Sequence, residues 1–192
     1  MTNLVLPPSE LILDPQSWIK AADLSGHEPD RRIRQALLYP NLLTRLLAST
    51  FQDPVTVELL ALSPVDGGFR RDVALRAGER LCVVASTLMP ESLVDHYPWL
   101  GSLGNRPLGQ TLERFMETPK GPFEYRIMDP AEGLELGFRS RQPTWGRRFT
   151  FTLPEGGLTV MEIFSHGTLE QAGEWLMARY AGSSTTPSAI SS

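Results

Sequence analysis

Between residues 54 and 89 three strand-length runs follow one another with no room between them for a crossover helix, so antiparallel pairing is the economical way to join them. The first spans 54–64 and contains Val55-Thr56-Val57-Glu58-Leu59-Leu60-Ala61-Leu62; the second, 69–76, alternates; the third, 80–89, is rich in Val, Leu and Thr. Ala77-Gly78-Glu79 joins the last two and is short enough for a hairpin. Strand signals return at 123–128, 134–138, 147–153 and 158–164, and Pro154-Glu155-Gly156-Gly157 makes a second hairpin of the final pair. Helical spacing predicts helices over 30–39, over 42–50 with Asn41 as N-cap, over 91–96, and from Pro107 onward. A last helix is expected after Thr168 as cap, with Leu169, Ala172, Trp175, Leu176 and Tyr180 at apolar spacing. The expected class is α+β, with an antiparallel sheet covered by helices on one side.

A chain of 192 residues allows one domain with trimmings. Residues 1–30, with Pro7, Pro8, Pro15 and Pro29, read as an arm, residues 31–181 as the body, and the polar stretch 182–192 as a disordered tail. The 18 Lys and Arg against 22 Asp and Glu leave a net charge of −4, which disfavours a nucleic-acid-coating protein. The isolated pairs Arg31-Arg32, Arg70-Arg71 and Arg147-Arg148 do not alter that expectation. A single cysteine, Cys82, excludes an intramolecular disulfide or a multi-cysteine metal site, and His27, His96 and His166 lack metal-ligand spacing. No phosphate loop, Gly-x-Gly-x-x-Gly or Gly-x-Ser-x-Gly occurs. No stretch approaches the ~20 apolar residues of a membrane span, and the N-terminus does not read as a signal peptide. A cytoplasmic monomer without metal or organic cofactor, nucleic acid or transmembrane segment is expected.

Strand parity singles out two charges. In 69–76 one face carries Phe69, Arg71, Val73 and Leu75, while the other, with Arg70, Asp72, Ala74 and Arg76, looks like solvent. Arg71 is thus a guanidinium among apolar neighbours and wants a carboxylate partner. In 158–164 Glu162 is the only charge and shares its face with Leu158, Val160 and Phe164; burial of that kind favours the protonated carboxyl. Two readings stand at this point. Arg71 and Glu162 pair with each other as an internal salt bridge, or they line one apolar pocket that takes a small, anionic, oxygen-rich ligand.

Six segments, in order over 42–164, resemble the chorismate lyase family, whose members release pyruvate from chorismate to leave 4-hydroxybenzoate. They are Leu43-Thr44-Arg45-Leu46, Arg70-Arg71-Asp72-Val73, Thr87-Leu88-Met89-Pro90, Arg106-Pro107-Leu108-Gly109, Trp145-Gly146-Arg147-Arg148 and Met161-Glu162-Ile163-Phe164. The resemblance implies a ligand enclosed beneath helical flaps flanking the sheet. It also implies that Arg71 holds the ring carboxylate, that Glu162 contacts the hydroxyl end, and that a backbone group of Leu108 touches the ligand. Leu43 stands where the best-known members carry a flap methionine, an apolar exchange, and Thr44 follows it. Ser86 stands where such members carry an arginine, which removes a second anion contact.

The expected activity is that of a lyase acting on chorismate with 4-hydroxybenzoate as product, for ubiquinone or another hydroxybenzoate-derived compound, with Arg71 and Glu162 as catalytic residues. Arg147 shares parity with Phe149 and Phe151 and is a candidate for the enolpyruvyl carboxylate, whereas Arg148 faces the other way and reads as structural. The alternative is a non-catalytic aromatic-acid sensor of the same fold. Residues 1–40 are too short and proline-rich for the winged helix that a DNA-binding regulator needs.

Overall fold

The computed structural model describes residues 18–20, 29–115 and 120–181. The tail expected at 182–192 and most of the arm lie outside the described residues. Thirteen elements follow in order among those described: β1 (Ile19–Lys20), α1 (Arg31–Leu37), α2 (Leu43–Phe51), β2 (Val55–Val65), β3 (Gly68–Ala77), β4 (Arg80–Pro90), α3 (Glu91–His96), α4 (Leu108–Phe115), β5 (Glu124–Met128), α5 (Pro130–Glu135), β6 (Thr144–Leu153), β7 (Gly156–Phe164) and α6 (His166–Ala181). The strands form one antiparallel sheet in the order β1-β5-β6-β7-β4-β3-β2. This is the α+β class that the strand and hairpin pattern predicts. Gly78 makes the β3–β4 turn at φ +56, a left-handed conformation that costs glycine little.

One face of the sheet carries the main core in two halves. Ile33, Leu37, Leu46, Leu47, Leu169 and Leu176 of α1, α2 and α6 pack on Leu75, Val83 and Phe164. Leu93, Leu108 and Leu112 of α3 and α4 pack on Phe149, Phe151, Leu158 and Val160. Burial of this kind contributes about 25 cal/mol per Å² of apolar surface and is the main force closing the domain.

Four expectations need correction. The other face of β3 is not solvent: Arg70, Asp72 and Ala74 are buried there, Arg70 Nε donates to Asp72 at 2.9 Å, and Ser86 Oγ donates to the same carboxylate. That face also buries Trp18 against Met128, Leu136, Phe138, Met161 and Ile163. The alternation at 134–138 is not a strand, because Asp129 caps Ala131 and Glu132, Pro130 opens α5, and Gly137 at φ +87 ends it. Leu42, not Asn41, is the N-cap of α2, with no side-chain bond to the helix. The last helix begins at His166, two residues before Thr168, with the Ser165 and Thr168 hydroxyls bonded across its first turn.

Candidate functional site

A cavity opens between the two core halves. Its floor is the sheet, with Arg71, Val73 and Leu75 from β3, Thr87 from β4, Phe149 and Phe151 from β6, and Val160 and Glu162 from β7. Its roof is Leu42, Leu43 and Thr44 at the start of α2, and Pro107, Leu108 and Gly109 at the start of α4. The two roof helices meet through Gln110 Nε2, which donates to Thr44 Oγ1 at 3.1 Å, and an exposed Arg45–Glu113 pair at 3.4 Å. The cavity measures about 80 Å³ at the centres of a water-sized sphere, several times the ~10–15 Å³ that one water needs. Its size suits a small organic ligand.

Both residues chosen by parity face this space, but they do not pair with each other. Arg71 is 3% exposed and donates from Nη2 to the Gly104 and Arg106 carbonyls at 2.8 and 3.0 Å, while its Nε has no partner among the described residues. No carboxylate of the described residues forms an ion pair with it, and burial pulls its guanidinium down to about 10. A desolvated cation with an unused donor is prepared to receive an anion, since a bidentate carboxylate would satisfy it.

Glu162 is the carboxylate half of a buried ion pair with Arg147, Oε2 accepting from Nε at 2.6 Å. The carboxyl that the sequence leaves alone among apolar neighbours thus has a partner, supplied by the neighbouring strand. Register makes the pair, because Arg147 of β6 lies directly opposite Glu162 of β7. Arg147 does not line the cavity. It is fully buried behind Glu162, its Nη1 donates to the Leu37 and Tyr39 carbonyls at 3.0 and 2.8 Å, and its guanidinium lies 4.8 Å from the Phe123 ring and 5.3 Å from that of Phe164. Arg148, on the opposite face, pairs with Glu124 and stacks on Trp18, as a structural residue should. Ser86 also points away from the cavity, into the Arg70–Asp72 cluster.

Leu43, Thr44 and Leu108 are in the roof. Leu108 opens α4, where a helix leaves its first N–H groups without internal partners. Arg71 on β3 lies opposite Thr87 of β4 and Glu162 on β7 opposite Ala85, so two strand spacings and a two-residue offset set their backbones about 12 Å apart. The arrangement can hold an anion at one end of a flat apolar slot and accept a hydrogen bond at the other.

The sequence reading missed Lys120. It lines the cavity, donates to the Pro40 and Asn41 carbonyls at 2.8 and 3.3 Å, and burial lowers its ammonium below the ordinary lysine value. It lies in an irregular segment, where no periodicity exists to flag it. One signal was present: the chain has 2 Lys, Lys20 and Lys120, against 16 Arg, 2 + 16 making the 18 basic residues. A chain that uses arginine almost throughout has a flexible point charge here.

Among the described residues no group of His, Cys, Asp and Glu could hold a metal ion, and no helix is long and apolar enough to cross a membrane. No protein-family model matches the chain. The crystal structure of PhnF from Mycobacterium smegmatis superposes with a TM-score of 0.51 at 14% identity, covering 68% of this chain and 66% of that one, which is a likeness of fold alone. A probable chorismate pyruvate-lyase of Pseudomonas aeruginosa is 28% identical over 172 residues, 81% of this chain and 94% of the relative. A probable chorismate pyruvate-lyase of Methylococcus capsulatus is 31% identical over 126 residues, 62% of this chain and 78% of the relative. Sequence relatives that span most of their own length and a sheet that carries the family's motifs in order agree, and the chain belongs to the chorismate pyruvate-lyase family.

Proposed function

We infer that this protein converts chorismate to 4-hydroxybenzoate and pyruvate. The observation that carries the reading is the placement of Arg71, a buried guanidinium without a carboxylate partner among the described residues, and Glu162, a paired carboxylate, in one apolar cavity. Arg71 takes the ring carboxylate through its unused donor. Glu162 accepts a hydrogen bond from the ring hydroxyl, and the roof residues Leu43, Thr44 and Leu108 close over the ring.

In the reaction the C–H bond at the hydroxyl-bearing carbon breaks and its electron pair becomes the last double bond of the aromatic ring. The neighbouring C–O bond breaks, its pair leaves on the enolpyruvyl oxygen, and the methylene of that fragment gains a proton to give pyruvate. One proton leaves the ring and one is gained by the fragment, so the protein supplies no net acid or base. Aromatisation and ketonisation both run downhill, and the chain contributes chiefly by holding a reactive pose and excluding water. The Arg147 pair holds the Glu162 side chain in place with its second oxygen left to accept, which suits a ligand that donates at that end. The scheme calls on no metal or organic cofactor, and the product is a precursor for ubiquinone or another hydroxybenzoate-derived compound made in the cytoplasm.

The test is to mix purified protein with chorismate alone and follow both products. Equimolar pyruvate and 4-hydroxybenzoate, lost in Arg71→Ala, is the expected result. Intact chorismate together with a melting temperature raised by 4-hydroxybenzoate would overturn the lyase and leave the sensor reading.

A further inference from the structure

We propose that Lys120 is a second anion-binding residue of the cavity and holds the side-chain carboxylate of a dicarboxylate ligand, with the chamber beside it receiving the three-carbon fragment. The proposal rests on the lyase reading for the identity of that ligand, and on geometry for the site. Lys120 is bridged to Phe151 of β6, whereas Arg71 projects from β3, so the two cations enter from opposite sides of the β7–β4 centre of the sheet. An ammonium has three N–H donors. Two go to Pro40 and Asn41, and the third has no partner among the described residues. The nitrogen lies 5.2 Å from the Phe149 ring and 5.7 Å from that of Phe151, whose faces favour a cation held out of water.

Charge accounting gives the same answer. Glu162 is paired with Arg147, and Glu113, the other carboxylate near Lys120, with Arg45 at 3.4 Å, so a dianion in this cavity has two cations to meet, Arg71 and Lys120. A second cavity adjoins the first and shares with it the wall of Leu42, Gly109, Lys120 and Phe151. Lys120 therefore stands where a substituent on the ring, next to the hydroxyl that Glu162 receives, passes from one space into the other. It forms no covalent bond to the ligand; it fixes the carboxylate by charge and its third N–H while the neighbouring C–O bond breaks.

The experiment measures dissociation constants by calorimetry for two unreactive probes, 4-hydroxybenzoate with one carboxylate and 3-(carboxymethoxy)-4-hydroxybenzoate with two. In Lys120→Met the dicarboxylate is expected to bind at least tenfold more weakly while 4-hydroxybenzoate changes less than threefold, and Lys120→Arg restores most of the difference. Equal weakening of both probes, or of neither, overturns the proposal. Lys120→Gln, which keeps a donor for Pro40 and Asn41, guards against a merely structural loss: it should lose the dicarboxylate preference at an unchanged melting temperature. In turnover the same variant raises KM for chorismate more than it lowers kcat. Discrimination between the probes by a wild type that leaves chorismate intact would refute the lyase and keep the subsite; turnover with KM unaffected in Lys120→Gln would keep the lyase and refute the subsite.

Discussion

Replacing Glu162 by Gln keeps the side chain's volume and removes its charge, leaving the guanidinium of the fully buried Arg147 without its 2.6 Å partner. Breaking one half of a buried pair costs about 3–5 kcal/mol. The Leu37 and Tyr39 carbonyls and the Phe123 ring still receive Arg147, so the lower end, about 3 kcal/mol, is expected. Arg147→Met strands Glu162 and takes the donor from both carbonyls. Glu162 borders the cavity and can meet water there, so the cost is the pair plus about 1 kcal/mol for the carbonyls, some 3–4 kcal/mol in all. The double variant Glu162→Gln/Arg147→Met has neither charge to strand, so its cost should fall to about 1 kcal/mol for the two carbonyls that lose their donor, far below the sum of about 6–7. Urea unfolding of the ligand-free protein at pH 7 reads all three, and in a chain of this size each single variant should also lose about 6–16 °C in Tm. Single losses under about 1 kcal/mol, or a double variant additive to within about 0.5 kcal/mol, would refute the buried pair as the feature that holds Glu162 in place. Turnover of Glu162→Gln is then to be read well below its lowered melting temperature.

Arg71→Met should abolish binding of 4-hydroxybenzoate in calorimetry yet leave the free protein within about 1 kcal/mol of the wild type, because removing a desolvated guanidinium that has no carboxylate partner among the described residues offsets the donor lost to the Gly104 and Arg106 carbonyls; a fall of several degrees in Tm would count against that offset. The binding of benzoate should be level from neutral pH upward and weaken as pH rises through about 10, where Arg71, lowered by burial, gives up its charge. Affinity undiminished well above that pH, measured by calorimetry, would contradict the assignment. Gly173→Ala places a Cβ 2.0 Å from the Arg32 carbonyl oxygen, where α6 crosses α1, and should cost about 3 kcal/mol in denaturant unfolding, since backbone must move to admit it.

Much of the fold was legible because it rests on local rules. Alternation located β3, strand-forming composition located β2 and β4, strand signals located β5, β6 and β7, and short Gly-containing links marked the β3–β4 and β6–β7 hairpins. The same parity put Arg71 and Glu162 on one face, since alternate side chains of a strand have no other choice. It failed at 134–138, where Leu134, Leu136 and Phe138 alternate but the Asp129-Pro130 start signal belongs to a helix. The sequence by itself thus determined an antiparallel α+β domain with two misplaced charges and the motifs of a family. Only the tertiary structure decided their partners. That Glu162 meets Arg147 and not Arg71 depends on which strand lies beside β7, and that Lys120 meets the cavity depends on where an irregular segment returns to the sheet. That Arg70 and Asp72 are buried depends on what covers the second face. These are contacts between residues distant along the chain, and periodicity reports only which way a side chain points, not what it finds there.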